Sequence, residues 1–300
     1  MISETISHYR ILEKLGQGRM GPVYKAQDLN TDRVLVLKFL LPELLEDQEA
    51  KARFLLEAKT ASSLDHPNVG AVYSLEHTDK GQMFICMAFY EGETLGWELE
   101  RGRLAMERVA DLVIQIARGL SAVHQKGVTH RNIKPENVFI TRDGVPKILD
   151  FGMAKLKDNP AITKLGAVAW GSPAYMSPEQ LSGSRVDQRT DIWALGVVIY
   201  QMITGQTPFH AELVETIAYQ IMKENAAPLS KLRPDVPPKW EALVSRALAK
   251  KPDERYQQAE DMIKDVKTIT QGPSRLEPIP VEAAAAPAGP SPEETGGTAR

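Results

Sequence analysis

Cysteine is nearly missing: Cys86 is the one thiol in 300 residues. No disulfide can close within the chain, which suits a reducing compartment. An excess of one charge is missing too, since the formal net charge is −3 with 25% of residues charged. That balance gives no reason to expect nucleic acid or an acidic membrane surface as partner. Long hydrophobic runs are absent. The longest apolar stretch, Ile192–Ile203, is interrupted by Gly196 and Gln201 and is too short to span a bilayer. The opening MISETISHYRILEKLG has no basic segment followed by an apolar one, so no signal peptide is expected. No internal repeat is visible. The expectation is a cytoplasmic protein with no membrane segment within residues 1–300, any anchor lying beyond residue 300.

The chain is long enough for two lobes sharing a cleft, and 43% of it is hydrophobic. The first ninety residues read mostly as strands. Tyr9–Gly16 and Val23–Asp28 flank a glycine-rich turn, and Arg33–Leu40 is rich in β-branched residues and leucine. Helical spacing follows over 47–64, with Phe54, Ala58 and Ala61 on one face, then strands near Val69–Leu75 and Met83–Phe89. From about residue 105 the pattern turns helical. Met106–Gln125 carries Val109, Leu112, Val113, Ile116, Leu120 and Val123 on one stripe, the mark of a buried amphipathic helix. Further helices are predicted over 191–204, 212–223, 238–249 and 256–269. The order predicts an α+β, bilobal fold, with a mainly-β lobe at 9–90 holding one helix and a mainly-α lobe at 91–270. Residues 271–300 are rich in Pro, Ala and Gly and poor in large apolar residues, so they read as a disordered tail or linker.

Gly16-Gln-Gly18-Arg-Met-Gly21 fits G-x-G-x-x-G, a weak pattern alone. In a dinucleotide-binding fold it would open a helix. Here Pro-Val-Tyr-Lys-Ala follows and reads as a strand, so the loop becomes a hairpin tip able to cover phosphates. Lys38 in the strand LVLKFL could reach phosphate, and Glu57 on the next helix could pair with it. Thr129-His-Arg-Asn-Ile-Lys-Pro-Glu-Asn137 and Asp150-Phe-Gly152 come later. Asn137 and Asp150 offer the amide and carboxylate oxygens that a hard Mg²⁺ ion takes. Each string is weak singly; the ordered set is specific.

With these motifs the chain resembles a eukaryotic-type Ser/Thr protein kinase of the kind found in bacteria, over roughly residues 9–270. The resemblance implies a protein-kinase fold using ATP and Mg²⁺. It implies a nucleotide site of Gly16, Gly18, Gly21, Val23, Val36 and Lys38, with Met87 as gatekeeper and Ala88–Tyr90 as the hinge that reads adenine. It implies that Glu179 of Ser177-Pro-Glu179 pairs with Arg255, and that Asp191 anchors the catalytic loop from below. Lys134 is the Ser/Thr-type choice beside that loop. Gly171-Ser172-Pro resembles the segment holding a substrate hydroxyl, and Thr163 stands where an activation-loop phosphate often sits, with Arg131 as its partner.

The departures gather at the cleft. The family's H-R-D reads His130-Arg131-Asn132, so the residue that accepts the substrate hydroxyl's proton is replaced by an amide. General-base catalysis contributes about 10²–10⁴-fold, roughly 3–5 kcal/mol on the barrier. A loose transition state needs little early proton removal, so residual transfer is physically allowed. Val36 stands where the family carries alanine over adenine, at a cost of about 1–3 kcal/mol if the site does not relax. Pro22 removes a backbone donor and is expected only at a sheet edge. Arg19 puts a long cation at the loop tip.

Three readings follow. The first is a pseudokinase that binds ATP and Mg²⁺, transfers phosphate weakly or not at all, and acts on a protein partner, including a second kinase as dimer. The second is an active but slow Ser/Thr kinase acting on a protein substrate. The third is a kinase-fold scaffold that binds no nucleotide.

Overall fold

Six strands open the chain: β1 (Thr5–Ile6), β2 (Tyr9–Gly18), β3 (Gly21–Asp28), β4 (Val34–Phe39), β5 (Val72–His77) and β6 (Met83–Ala88). The structure is a computed structural model and describes residues 4–18, 21–41, 55, 62–150 and 173–271. The strands form one antiparallel sheet in the order β1-β2-β3-β4-β6-β5. Alternation sets its two faces. Leu35, Leu37 and Phe39 of β4 join Phe84 and Cys86 of β6 in a buried cluster with Tyr9, Ile11 and Tyr24. Edge-to-face and tilted rings tie it together: Tyr9–Phe84 at 5.9 Å, Tyr24–Phe39 at 5.7 Å and Phe39–Phe84 at 5.3 Å. The intervening residues Val36, Lys38 and Met87 turn to the opposite face and line a cleft.

Strand β7 (Gly92–Thr94) leads into α1 (Leu95–Glu100) and α2 (Met106–Gln125). A second antiparallel sheet joins β7 to β8 (Val138–Thr141) and β9 (Pro146–Ile148). Then come α3 (Pro178–Leu181), α4 (Arg189–Thr204), α5 (Val214–Lys223), α6 (Leu229–Leu232), α7 (Pro238–Ala247) and α8 (Ala259–Thr270). The stripe expected on α2 is the buried one: Val109, Leu112, Val113, Ile116, Leu120 and Val123 are all 0% exposed. Helices α4 and α8 pack against α2. The apolar run Ile192–Ile203 makes up most of α4 and is buried except at Gln201, as a largely apolar helix must be. It stops at Gly205, whose φ of 85° is the left-handed C-cap that glycine adopts without strain. Among the described residues no helix is long and apolar enough to cross a membrane.

The bilobal α+β reading matches. Boundaries move at several elements. β1 adds a strand before residue 9. The strand expected from Val69 starts at Val72, because Val69 bridges instead to Ile148 of β9. The helix expected over 47–64 and the tail over 271–300 lie almost wholly outside the described residues.

Candidate active site

Strands β2 and β3 pair to their tip, where Gly18 faces Gly21, with register shifts at Ile11/Glu13 and Lys14/Gly16 on the way. Gly21 has φ 142°, and a Cβ there would collide with Phe39 O of β4. This glycine is therefore demanded by the neighbouring strand before any ligand is considered. Pro22 does not lie at a sheet edge, which corrects the expectation. It sits on an interior strand and is tolerated because the β3–β4 ladder begins one residue later, at Val23↔Lys38.

Beneath this hairpin lies a cleft of about 760 Å³. Gly16, Val23 and Val36 border it on the hairpin side, Met87, Ala88 and Tyr90 along the connection between lobes, and Lys38 and Asp150 at the far end. Phe139 of β8 and Leu149 line it from the helical lobe, and Glu91 and Glu136 also border it. Sequence reasoning missed Phe139. Its signal was the alternation of β8, where Val138 and Ile140 are buried and Phe139 between them turns outward.

Lys38 Nζ lies 2.7 Å from Asp150 Oδ1, with the Lys38 side chain only 9% exposed. Burial pushes the Asp150 carboxyl up, but the Lys38 ammonium outweighs it and holds the group below the usual carboxylate range. Asp150 carries φ 66°, a left-handed conformation uncommon for a residue with a side chain. Glu57, expected to meet Lys38, lies outside the described residues, as do Thr163, Ser172 and the Arg19 position.

The turn holding Asn132 is fastened from beneath. The Asp191 carboxylate, 0% exposed, accepts from His130 N at 2.8 Å and from Arg131 N at 2.6 Å. His124 Nε2 donates to the same carboxylate at 2.8 Å. Such backbone capture supports Arg131 at φ 62°. The His130 ring accepts from Asn132 N at 3.2 Å and donates through Nε2 to Leu149 O at 2.9 Å. Asn137 donates through Nδ2 to Asn132 O at 2.8 Å, while its own carbonyl accepts from Leu149 N at 2.8 Å. Asn132, Asn137 and the residue before Asp150 are thus held in one hydrogen-bonded unit. Lys134 Nζ lies 3.8 Å from Glu136 Oε2.

The pairing of Glu179 with Arg255 is present. Both terminal guanidinium nitrogens of Arg255 reach Glu179, at 2.7 and 2.8 Å, in a buried fork–fork geometry, and Thr190 Oγ1 adds a bond at 2.6 Å. Gln180 Nε2 donates to Arg131 O at 3.0 Å, tying this helix to the turn that holds Asn132.

A magnesium ion suits this donor set. Asn137 spends its NH₂ on Asn132 O, which leaves the amide oxygen as its acceptor, and Asp150 offers a carboxylate held ionised by Lys38. Mg²⁺ is held by one or two protein oxygens together with phosphates and water, so few protein ligands suffice. Among the described residues no group of three His, Cys, Asp or Glu is gathered as a self-sufficient metal cage.

The chain matches the protein kinase domain family over residues 9–266. It is 38% identical over 296 residues to serine/threonine-protein kinase pkn3 of Myxococcus xanthus, covering 93% of this chain and 53% of that protein. With serine/threonine-protein kinase PrkC of Bacillus subtilis the identity is 37% over 270 residues, covering 89% and 41%. With PknB of Mycolicibacterium smegmatis it is 37% over 270 residues, covering 88% and 43%. The chain therefore spans roughly half or less of the length of these relatives. Among solved structures, the Mycobacterium tuberculosis PknI kinase domain is similar at a TM-score of 0.72 and 27% identity, covering 89% of this chain and 98% of that one.

Proposed function

Because the chain belongs to the protein kinase domain family, we propose that its cleft binds ATP with Mg²⁺ and transfers the terminal phosphate, slowly, to Ser or Thr of a protein substrate. The observation that carries this reading is the Lys38–Asp150 pair at 2.7 Å, at the end of a cleft whose other end is the Ala88–Tyr90 connection. An adenine at that connection would leave its phosphates near a fixed ammonium. Asn137 and Asp150 would hold Mg²⁺, which would supply neutralising charge to the phosphates. The cleft remains about 760 Å³ with Val36 in its lining, which favours nucleotide binding over a scaffold that binds none.

Asn132 has no basicity, so its part is orientation: an amide oxygen can accept a hydrogen bond from a substrate hydroxyl without taking the proton. Phosphoryl transfer relies on positioning and charge stabilisation, so loss of the base slows the reaction without forbidding it. Lys134 supplies positive charge two residues on. Relatives named as serine/threonine-protein kinases favour this working enzyme over the pseudokinase that Asn132 suggested. The pseudokinase remains the second reading, and Asn132 alone supports it. A protein partner, pairing with a second kinase, phosphorylation at Thr163 and a cytoplasmic location belong to the same proposal.

Transfer from labelled ATP to the chain and to a generic protein substrate decides between them, run beside Asn132→Asp and Lys38→Met with Mg²⁺ and Mn²⁺. Activity well above the Lys38→Met background supports the slow kinase. A silent chain with an active Asn132→Asp variant supports the pseudokinase instead. If both are silent and ATP at millimolar concentration gives no thermal shift, nucleotide binding itself is wrong.

A further inference from the structure

Tyr90 does more than border the cleft. Its hydroxyl accepts a hydrogen bond from Ala71 N at 3.0 Å. Its ring lies 6.4 Å from Phe139 in a tilted arrangement, and Lys147 Nζ sits 5.2 Å from its centroid. Ala71 is engaged at both ends, because its carbonyl accepts from Ala88 N at 2.9 Å. One residue thereby clasps the connection between lobes at Ala88 and again at Tyr90.

The segment before Ala71 is bound to the other side of the cleft. Gly70 N donates to Ile148 O at 2.8 Å, and Ile148 N donates to Asn68 O at 2.9 Å. Val69 and Ile148 form a parallel bridge. Asn68 is fixed in turn, donating through Nδ2 to Pro146 O and to Gln115 Oε1, each at 3.1 Å. Approach this close favours Gly70, since a Cβ there would lie 2.5 Å from Leu149 Cδ2 and 3.2 Å from Ile148 O. Two residues after Ile148 comes Asp150. A continuous set of hydrogen bonds therefore runs from the Tyr90 hydroxyl through residues 68–71 to the strand that delivers Asp150.

We propose that the Tyr90 hydroxyl is a positioning group that fixes the adenine end of the cleft relative to the strand that leads to Asp150. This rests on the nucleotide-binding reading above and assigns Tyr90 a part that its backbone role in the connection does not include. If Tyr90 were only packing, a phenylalanine would serve equally well, because the ring meets Phe139 and Lys147 without the hydroxyl. If the hydroxyl positions, its loss frees the Ala71 amide and loosens the adenine end, while the Lys38 end is untouched.

The test uses the full chain and a fluorescent ATP analogue displaced by MgATP, by adenosine and by inorganic tripolyphosphate, in wild type, Tyr90→Phe and Tyr90→Leu. Loss of one hydrogen bond predicts a roughly 3–10-fold weakening for MgATP and adenosine in Tyr90→Phe, with tripolyphosphate unchanged. Hydrogen exchange at the Ala71 amide speeds up in the same variant. Tyr90→Leu, which also removes the ring, weakens adenosine further. Equal affinities and equal Ala71 exchange in wild type and Tyr90→Phe overturn the positioning role and leave nucleotide binding standing. Equal weakening of adenosine and tripolyphosphate overturns it as well, since that is general loosening. A wild-type chain that binds no probe overturns both readings.

Discussion

Lys38 and Asp150 are 112 residues apart in sequence and 2.7 Å apart in space, a strand of the first sheet meeting the residue that follows the second. The Lys38 ammonium stabilises the ionised form of the Asp150 carboxyl. Lys38 is nearly buried and Asp150 is partly open, at 9% and 28% exposure of the side chains. Lys38→Met leaves Asp150 without its cation and is expected to cost about 1.5–3 kcal/mol, the range for a hydrogen bond to a charged group. Because the folded-state carboxyl is held low, this contribution is present above the ordinary Asp pKa and fades as pH falls below it. Unfolding midpoints of wild type and Lys38→Met, measured from pH 7 downward, should converge toward acid. A gap that stays constant to pH 2.5 speaks against the pair.

Asn132 is predicted to act through its amide oxygen. Asn132→Ala should lower any wild-type transfer rate about tenfold, and Asn132→Asp should raise it by roughly 10²-fold or more, within the range for general-base catalysis. Single-turnover transfer to a peptide reads both. An Asn132→Ala rate equal to wild type removes the orienting role.

The Glu179–Arg255 fork is buried and doubly bonded, and Arg255 also donates to Arg189 O, Lys250 O and Ala249 O. Glu179→Gln should cost about 3–5 kcal/mol, because it strands a buried guanidinium. Burial pushes the Glu179 carboxyl up, but Arg255 and Thr190 outweigh it and hold the group low. Its contribution is therefore complete above the ordinary Glu pKa of about 4.3 and is lost as pH falls below that value. Chemical denaturation of Glu179→Gln should show a flatter acid limb than wild type; parallel limbs contradict this assignment.

Lys250 is pressed between α5 and two rings. It donates to Ile221 O at 2.7 Å and lies 4.3 Å from the centroid of Phe209. Burial, and then the Arg255 charge, push its ammonium down to about 8. The unfolded chain binds this proton up to a pH near 10.4, so between those values the unfolded state holds more protons than the folded one. Stability contributed at Lys250 should rise from pH 8 to pH 10. The difference between wild type and Lys250→Met, followed by denaturation across that range, should grow in favour of wild type. A difference that is flat or shrinks refutes the shift.

Local chemistry made much of this protein legible in its sequence. The stripe on α2, the apolar strands β4 and β6 and the largely apolar α4 were legible because each is a local pattern of side chains that leave water. The ordered motifs singled out Lys38, Asn137 and Asp150, and the family resemblance they carry pointed to Asp191 and to the Glu179–Arg255 pair. Tertiary structure alone decided the rest. Gly21 answers to Phe39 O, Pro22 is tolerated by the starting point of a ladder, and Val69 abandons one sheet to bridge Ile148. The Lys38–Asp150 contact and the Tyr90–Ala71 bond join residues 112 and 19 positions apart. Sequence fixes which groups can bond, but a hydrogen bond forms only at about 3 Å, and only the packed lobes bring these partners to that distance.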